Sequence, residues 1–237
     1  MAGHSKWANI KHKKAKEDGK KSKVFTKIIK EITMAARESG GNPDMNPRLR
    51  LLLDKGKEAN MPIENAIRAI KKGTGELPGV AYEEYTYEGY GPNGIAVMFD
   101  AITDNKNRTV AELRRLFSEN NGTLGETGTV NWMFEKLGAV NATGTISEDD
   151  LLELLIECDI NDIQINDNNY TIYCDSKALA AVKEIVEKAG LKIESAGLEW
   201  VAKSTTELPE NKADTVLEFL SKLQDHEDVE NVYTNLQ

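Results

Sequence analysis

Ten lysines stand between residues 6 and 30, at Lys6, Lys11, Lys13, Lys14, Lys16, Lys20, Lys21, Lys23, Lys27 and Lys30, against only two acids, Glu17 and Asp18. Ammonium groups at this density, with His12 among them, neutralise phosphates and release condensed counterions. The chemistry they offer is therefore polyanion binding that weakens steeply with salt. Trp7 lies within the run and supplies a face on which an exposed base can stack. The competing reading is a solubilising or membrane-surface tail, but the segment lacks the apolar face that membrane insertion requires. Arg48 and Arg50, with Lys55, Lys57, Arg68, Lys71 and Lys72, either extend the basic surface or are solvated helix residues. A second polar site is Asp104-Asn105-Lys106-Asn107-Arg108-Thr109, which leads into a helix. Lys106 and Arg108 there flank helical N–H groups that suit an anion; the alternative is a capping loop with Arg108 paired to an acid. Contacts of this kind position a protein on nucleic acid without reading its sequence.

Covalent chemistry finds little to work with. His4, His12 and His226 lie in no recognisable nucleophile, metal or acid–base constellation, and Glu83-Glu84 and Asp149-Asp150 read as surface or helix-terminal acids. Gly89-Tyr90-Gly91-Pro92-Asn93-Gly94 matches a dinucleotide fingerprint literally, but it runs into Ile95-Ala96-Val97-Met98-Phe99, a strand, where the fingerprint must open a helix. Cys158 and Cys174 have no cluster at ligand spacing and read as buried structural thiols. The expectation is no enzyme, no catalytic residue, no metal, no cofactor and no small-molecule substrate.

The net charge of −9 conceals a partition. Residues 1–78 hold 18 Lys+Arg and 9 Asp+Glu, leaving 12 and 30 for the rest, so +9 is followed by −18. One part docks on a polyanion and the other keeps the protein soluble. No apolar run approaches the ~18 residues of a membrane span, and the N-terminus lacks the apolar core of a secretory signal. A cytoplasmic protein with no membrane partner is expected.

The elements that must position these groups follow from hydrophobic period. Residues 1–23 read as a basic tail. Within 24–78, Val24, Phe25, Ile28, Ile29, Ile32, Ala35 and Ala36 recur at helical spacing up to Gly40-Gly41. Asn46-Pro47 caps a second helix over Leu49, Leu52 and Leu53. Pro62 opens a third, with Ile63, Ala66, Ile67 and Ile70 as its inward stripe and Gly73 as its C-cap. The period then becomes two: a hairpin over 82–103 turning at Gly91–Gly94, a helix from Thr109, and a strand from Thr129 to Phe134. From Gly138 the order strand-helix-strand-strand-helix-strand predicts a ferredoxin-like sandwich, with a turn at Asn166–Asn169. A last helix, over Ala213, Val216, Leu217, Leu220 and Leu223, and a strand at 229–234 supply what the segment before residue 135 lacks. The fold class is α+β. A three-helix domain precedes a discontinuous α+β domain, 79–135 plus 206–237, into which a ferredoxin-like α+β domain, 136–205, is inserted.

MAGHSKWANIKHKKAK, NPRLRLLLDKGKEANMP, NAIRAIKKG, YEGYGPNGIAV, TDNKNRT and GTLGETGTVNWMF together resemble the YebC/PmpR family over most of residues 1–135. The resemblance implies three domains and a non-enzymatic regulator. Members are described as transcriptional regulators binding promoter DNA, others as translation factors acting on ribosomes. Lys106 stands where the family commonly has arginine, which keeps the charge and loses a bidentate donor. The expected partner is accordingly promoter DNA, or ribosomal RNA and the ribosome. The alternative is a protein-binding adaptor whose basic third docks an acidic partner.

Overall fold

In the computed structural model, Trp7 and residues 21–237 are described. Among the described residues, seven α-helices and two antiparallel four-stranded sheets are divided between two compact units, 1–131 with 206–237, and 132–205. The fold is α+β, as expected from sequence. No helix among the described residues is long and apolar enough to cross a membrane.

The larger unit begins with α1 (Lys21–Ser39), α2 (Pro47–Glu58) and α3 (Ile63–Gly73). Asn46 caps α2 by accepting from the Leu49 N–H at 3.0 Å, and its buried amide also donates to the Ala35 and Gly40 carbonyls. That one side chain therefore fixes both the start of α2 and the end of α1. The stripe expected for α3 is corrected. Ala66 and Ala69 are buried, while Ile63 and Ile67 are 68% and 46% exposed. A Cβ on Gly73 would lie 2.4 Å from the Thr33 carbonyl oxygen, so α3 approaches α1 too closely for large side chains. Gly73 serves that approach and not a cap; the cap is Thr74, followed by Gly75 at φ +82°.

The same unit then forms β1 (Glu83–Tyr90), β2 (Ala96–Thr103), α4 (Lys106–Glu119) and β3 (Thr123–Leu124). It is completed by α7 (Glu210–Gln224) and β8 (Val229–Thr234), and the sheet order is β3-β1-β2-β8. Val97, Phe99, Leu113, Phe117, Val216, Phe219, Leu220 and Val232 build the core under α4 and α7. The hairpin turns through Asn93, at φ 59°, and Gly94. The strand expected at 129–133 is absent, and its place is taken by a loop and a 3-10 turn over Asn131–Met133. The buried Glu88 carboxylate accepts from the N–H groups of Gly128 (2.7 Å), Val130 (2.6 Å) and Asn131 (2.8 Å), which takes those donors away from any sheet ladder.

The smaller unit comprises β4 (Phe134–Thr143), α5 (Glu148–Leu155), β5 (Ile160–Asn166), β6 (Asn169–Cys174), α6 (Leu179–Lys188) and β7 (Lys192–Ala202). Its order, β5-β6-β4-β7 with every neighbour antiparallel, is that of a ferredoxin-like sandwich. Ser147 caps α5 by accepting from the Asp150 N–H, and Leu151, Leu155, Val182 and Val186 of α5 and α6 pack on Val140, Ile172 and Cys174. Both cysteines are unbridged, Cys174 buried and Cys158 half-buried, and burial pushes the Cys174 thiol up.

Candidate nucleic-acid interface

Of the residues assigned to polyanion binding, Lys6, Lys11, His12, Lys13, Lys14, Lys16 and Lys20 lie outside the described residues, as does the side chain of Lys21. Lys23 is exposed on the first turn of α1. Trp7 is corrected: its indole is buried in the core of the larger unit and Nε1 donates to the Val232 carbonyl at 3.2 Å, so its face is not free for a base. An aromatic ring with one N–H meets both needs there, apolar contact and a carbonyl partner.

Lys27 and Lys30 are also corrected. The regular spacing that carries them along α1 turns them from the solvent toward α7 and β8. Lys27 donates to the Gln224 and Val229 carbonyls, each at 2.5 Å. Burial lowers its pKa to about 8, against the opposing pull of Glu230 and Asp225. Burial likewise raises Glu230 to about 8, helped by the neighbouring Glu31 carboxylate, which Lys55 holds ionised at 2.9 Å. Lys30 reaches the fully buried Asp228 at 2.5 Å and donates to the Glu227 carbonyl at 3.1 Å. Neither ammonium can meet a phosphate without unfolding this contact.

Asp228 is a hub that sequence reading missed. Thr109 donates to it at 2.7 Å, Arg108 at 3.2 Å, and the Thr109 hydroxyl also meets that of Thr103. Burial acts to raise its pKa, but the hydrogen bonds from Lys30 and Thr109 and the Lys30 charge outweigh it, leaving the carboxyl below its ordinary value. Nothing in QDHEDVE distinguishes this aspartate from its solvated neighbours. Arg108 also pairs with Asp104 at 3.0 Å, and Asn105 caps α4 by accepting from the Arg108 N–H. The Asp104–Thr109 segment is thus the capping loop, with its arginine held by two acids. Glu112, His226 and Asp228 form the one set among the described residues close enough to share a metal ion. Two cations and a hydroxyl already occupy the Asp228 oxygens, a poor ligand environment for another positive ion.

Exposed cations remain. Arg48 pairs with Glu38 at 2.8 Å, and Arg50 donates to the Pro43 and Asp44 carbonyls, so both are engaged at the α1–α2 turn while facing solvent. Lys57, Arg68, Lys71 and Lys72 are exposed and form no ion pair among the described residues. Lys106 lies over the Tyr85 ring, 4.5 Å from its centroid, at the edge of a groove of about 600 Å³. Tyr85, Tyr87, Arg114, Leu124 and Gly125–Thr127 are among its other lining residues.

Two family models match the chain, the N-terminal domain of the TACO1/YebC protein over residues 5–76 and the TACO1/YebC second and third domain over residues 82–236. A protein of Dictyoglomus turgidum named "Probable transcriptional regulatory protein" is 46% identical over 99% of this chain and 95% of its own length. One of Geobacter sulfurreducens with the same description is 47% identical, with 99% and 95% covered. The crystal structure of a conserved hypothetical protein from Aquifex aeolicus superposes with a TM-score of 0.83 at 43% identity, covering 93% of this chain and 91% of that one. The two models between them leave few residues unmatched, and with whole-length relatives at this identity the chain belongs to the TACO1/YebC family.

Proposed function

We propose that this protein is a non-enzymatic regulator of gene expression that binds nucleic acid through its basic N-terminal third. The observation that carries the reading is charge segregation. Residues 1–78 hold 18 Lys+Arg against 9 Asp+Glu, whereas residues 132–205 hold 6 against 14. The exposed cations of α2 and α3 follow the lysine-rich segment in sequence and add to its charge, and the acidic smaller unit, a net −8 from those counts, repels the same polyanion. The relatives' description as transcriptional regulators agrees with such binding. The sequence carries no helix-turn-helix or other groove-reading signature, which favours contacts to phosphate and to unpaired bases over readout of a duplex. A second reading as a translation factor on ribosomal RNA therefore stands beside the transcriptional one.

Crosslinking in growing cells, followed by sequencing of attached RNA and of recovered DNA, separates them. Discrete promoter fragments would establish the transcriptional role, and defined ribosomal RNA positions the translational one. Absence of both, with nuclease-resistant association with proteins, would replace the reading by that of an adaptor.

A further inference from the structure

We infer that the groove between β1, the N-terminal half of α4 and the loop 124–127 is a binding site for an unstacked nucleobase and its phosphate in a single-stranded nucleic acid. The inference rests on the nucleic-acid reading above and adds to it a site on the α+β part of the chain, formed by residues outside the lysine-rich segment of the sequence. Three observations converge on it.

The first is a fixed aromatic floor. Tyr85 is the outer rung of a ladder in which Tyr85–Tyr87, Tyr87–Phe99, Phe99–Phe117 and Phe117–Phe219 centroids lie 6.1, 5.6, 5.8 and 5.0 Å apart. Phe99, Phe117 and Phe219 are wholly buried and Tyr87 half-buried, so the outer end is held with little rotamer freedom left to lose. Every base has a π face, so stacking on such a platform tolerates any sequence.

The second is placed charge. Lys106 rests on the Tyr85 ring, so a base stacking there takes its place and frees the ammonium for the adjoining phosphate; Arg114, two helical turns further on, lines the same groove, about 12 Å away along the helix axis. Two cations on one stripe of α4 make a track for a backbone.

The third is a rigid opposite wall. Gly125 donates to the Glu88 carbonyl at 2.8 Å, and the Glu88 carboxylate holds three N–H groups just beyond, at Gly128, Val130 and Asn131. Thr127 and Glu126 are thereby presented from a fixed loop, where they can meet the polar edge of a base or a ribose hydroxyl.

The test uses the full chain and labelled homopolymer probes of about 12 nucleotides, within the usual site size for single strands. Single-stranded RNA, single-stranded DNA of the same base and a matched RNA duplex are titrated by fluorescence anisotropy at several salt concentrations. Tyr85→Ala should weaken single-strand binding roughly 5- to 150-fold, the range of one stacked base, and leave the salt slope unchanged. Tyr85→Phe should bind within about twofold of the parent, because the ring is retained. Lys106→Ala/Arg114→Ala should weaken binding and flatten the log-log salt slope by roughly 1.4, two phosphates' worth on a single strand. Duplex affinity should be insensitive to Tyr85→Ala. Tighter RNA than DNA binding would assign a role to the ribose hydroxyl, and equal binding would assign recognition to base and phosphate alone.

The groove is refuted if Tyr85→Ala, folded by circular dichroism and thermal melting, binds single strands like the parent, or if photocrosslinks from a 4-thiouridine probe all map elsewhere. In either case nucleic-acid binding by the tail would still stand. A parent chain that binds none of the probes would overturn that broader reading together with the groove.

Discussion

Asp228→Asn removes the charge that Lys30 and Arg108 share while keeping the side chain's volume and one acceptor oxygen. Lys30 and Asp228 are both buried, and deleting one member of a buried ion pair leaves the other uncompensated, at a cost of about 3–5 kcal/mol. The Arg108 branch is partly exposed and adds only ~0–1 kcal/mol. In a protein of this size, about 4 kcal/mol lowers Tm by roughly 8–16 °C. Equilibrium urea unfolding of the parent, Lys30→Met, Asp228→Asn and the double variant measures the cycle. The double variant should be more stable than the two single losses predict by about 2 kcal/mol, because it leaves no orphaned charge. The sign with pH is fixed by the depressed carboxyl. Its contribution is present above the unfolded value near 3.8 and is lost as pH falls through the lower folded value, so parent and Asp228→Asn should converge in acid. Losses that add within ~0.5 kcal/mol would refute the hub.

Glu230 and Lys27 give an opposite profile. With Glu230 raised from 4.5 to about 8, the folded chain binds more protons than the unfolded one between those values, so stability should fall across that window. It should recover between about 8 and 10.5 as the unfolded chain alone keeps the Lys27 proton. Glu230→Gln removes the falling limb; it should match the parent near pH 5 and exceed it at pH 8 by about 1 kcal/mol or more, and parallel stability curves would contradict this. Trp7→Ala should cost about 3–5 kcal/mol in urea unfolding, and a loss of nucleic-acid affinity with stability intact would show that the ring is not in the core. Glu88→Gln offers an NH₂ group where N–H donors point, so hydrogen exchange at Gly128, Val130 and Asn131 should accelerate; unchanged protection would mean the carboxylate does not hold the loop.

Local signals carried much of the fold. Asn46-Pro47 is a cap wherever it precedes an apolar period, Asn93-Gly94 accommodates positive φ in a hairpin turn, and the stripe Ala213–Leu223 is buried throughout. The failures share one origin, a partner distant in sequence. The period of α3 shows that one face is apolar, but only the distance to α1 decides that alanines and glycine go inside and Ile63 and Ile67 outside. Thr129–Phe134 has strand-like composition, yet Glu88, some forty residues earlier, captures its N–H groups. Glu88 shares the outward parity of Glu84 and Thr86, so the alternation of the strand gave no signal for that capture. For the site, density of charge pointed to the basic third, whereas the roles of Trp7, Lys27 and Lys30 are set by carbonyls and a carboxylate about two hundred residues away. Of the groove only Lys106 was legible, as a candidate anion contact at a helix start; Tyr85 and Gly125 come from segments that read as ordinary strand and loop.

The separation of those partners sets an order of assembly. Trp7 bonds to Val232 across 225 residues and Lys30 to Asp228 across 198, so an early segment and the closing strand must await each other. On an emerging polypeptide, the edge of β2 stays uncapped and the Lys30 ammonium unmatched until residues 228–234 are available. The ferredoxin-like unit, whose core lies wholly within 132–205, has all its partners well before that point. Maturation of the larger unit therefore waits on β8, and the interval before β8 docks is when its exposed strand edge is most open to wrong pairing.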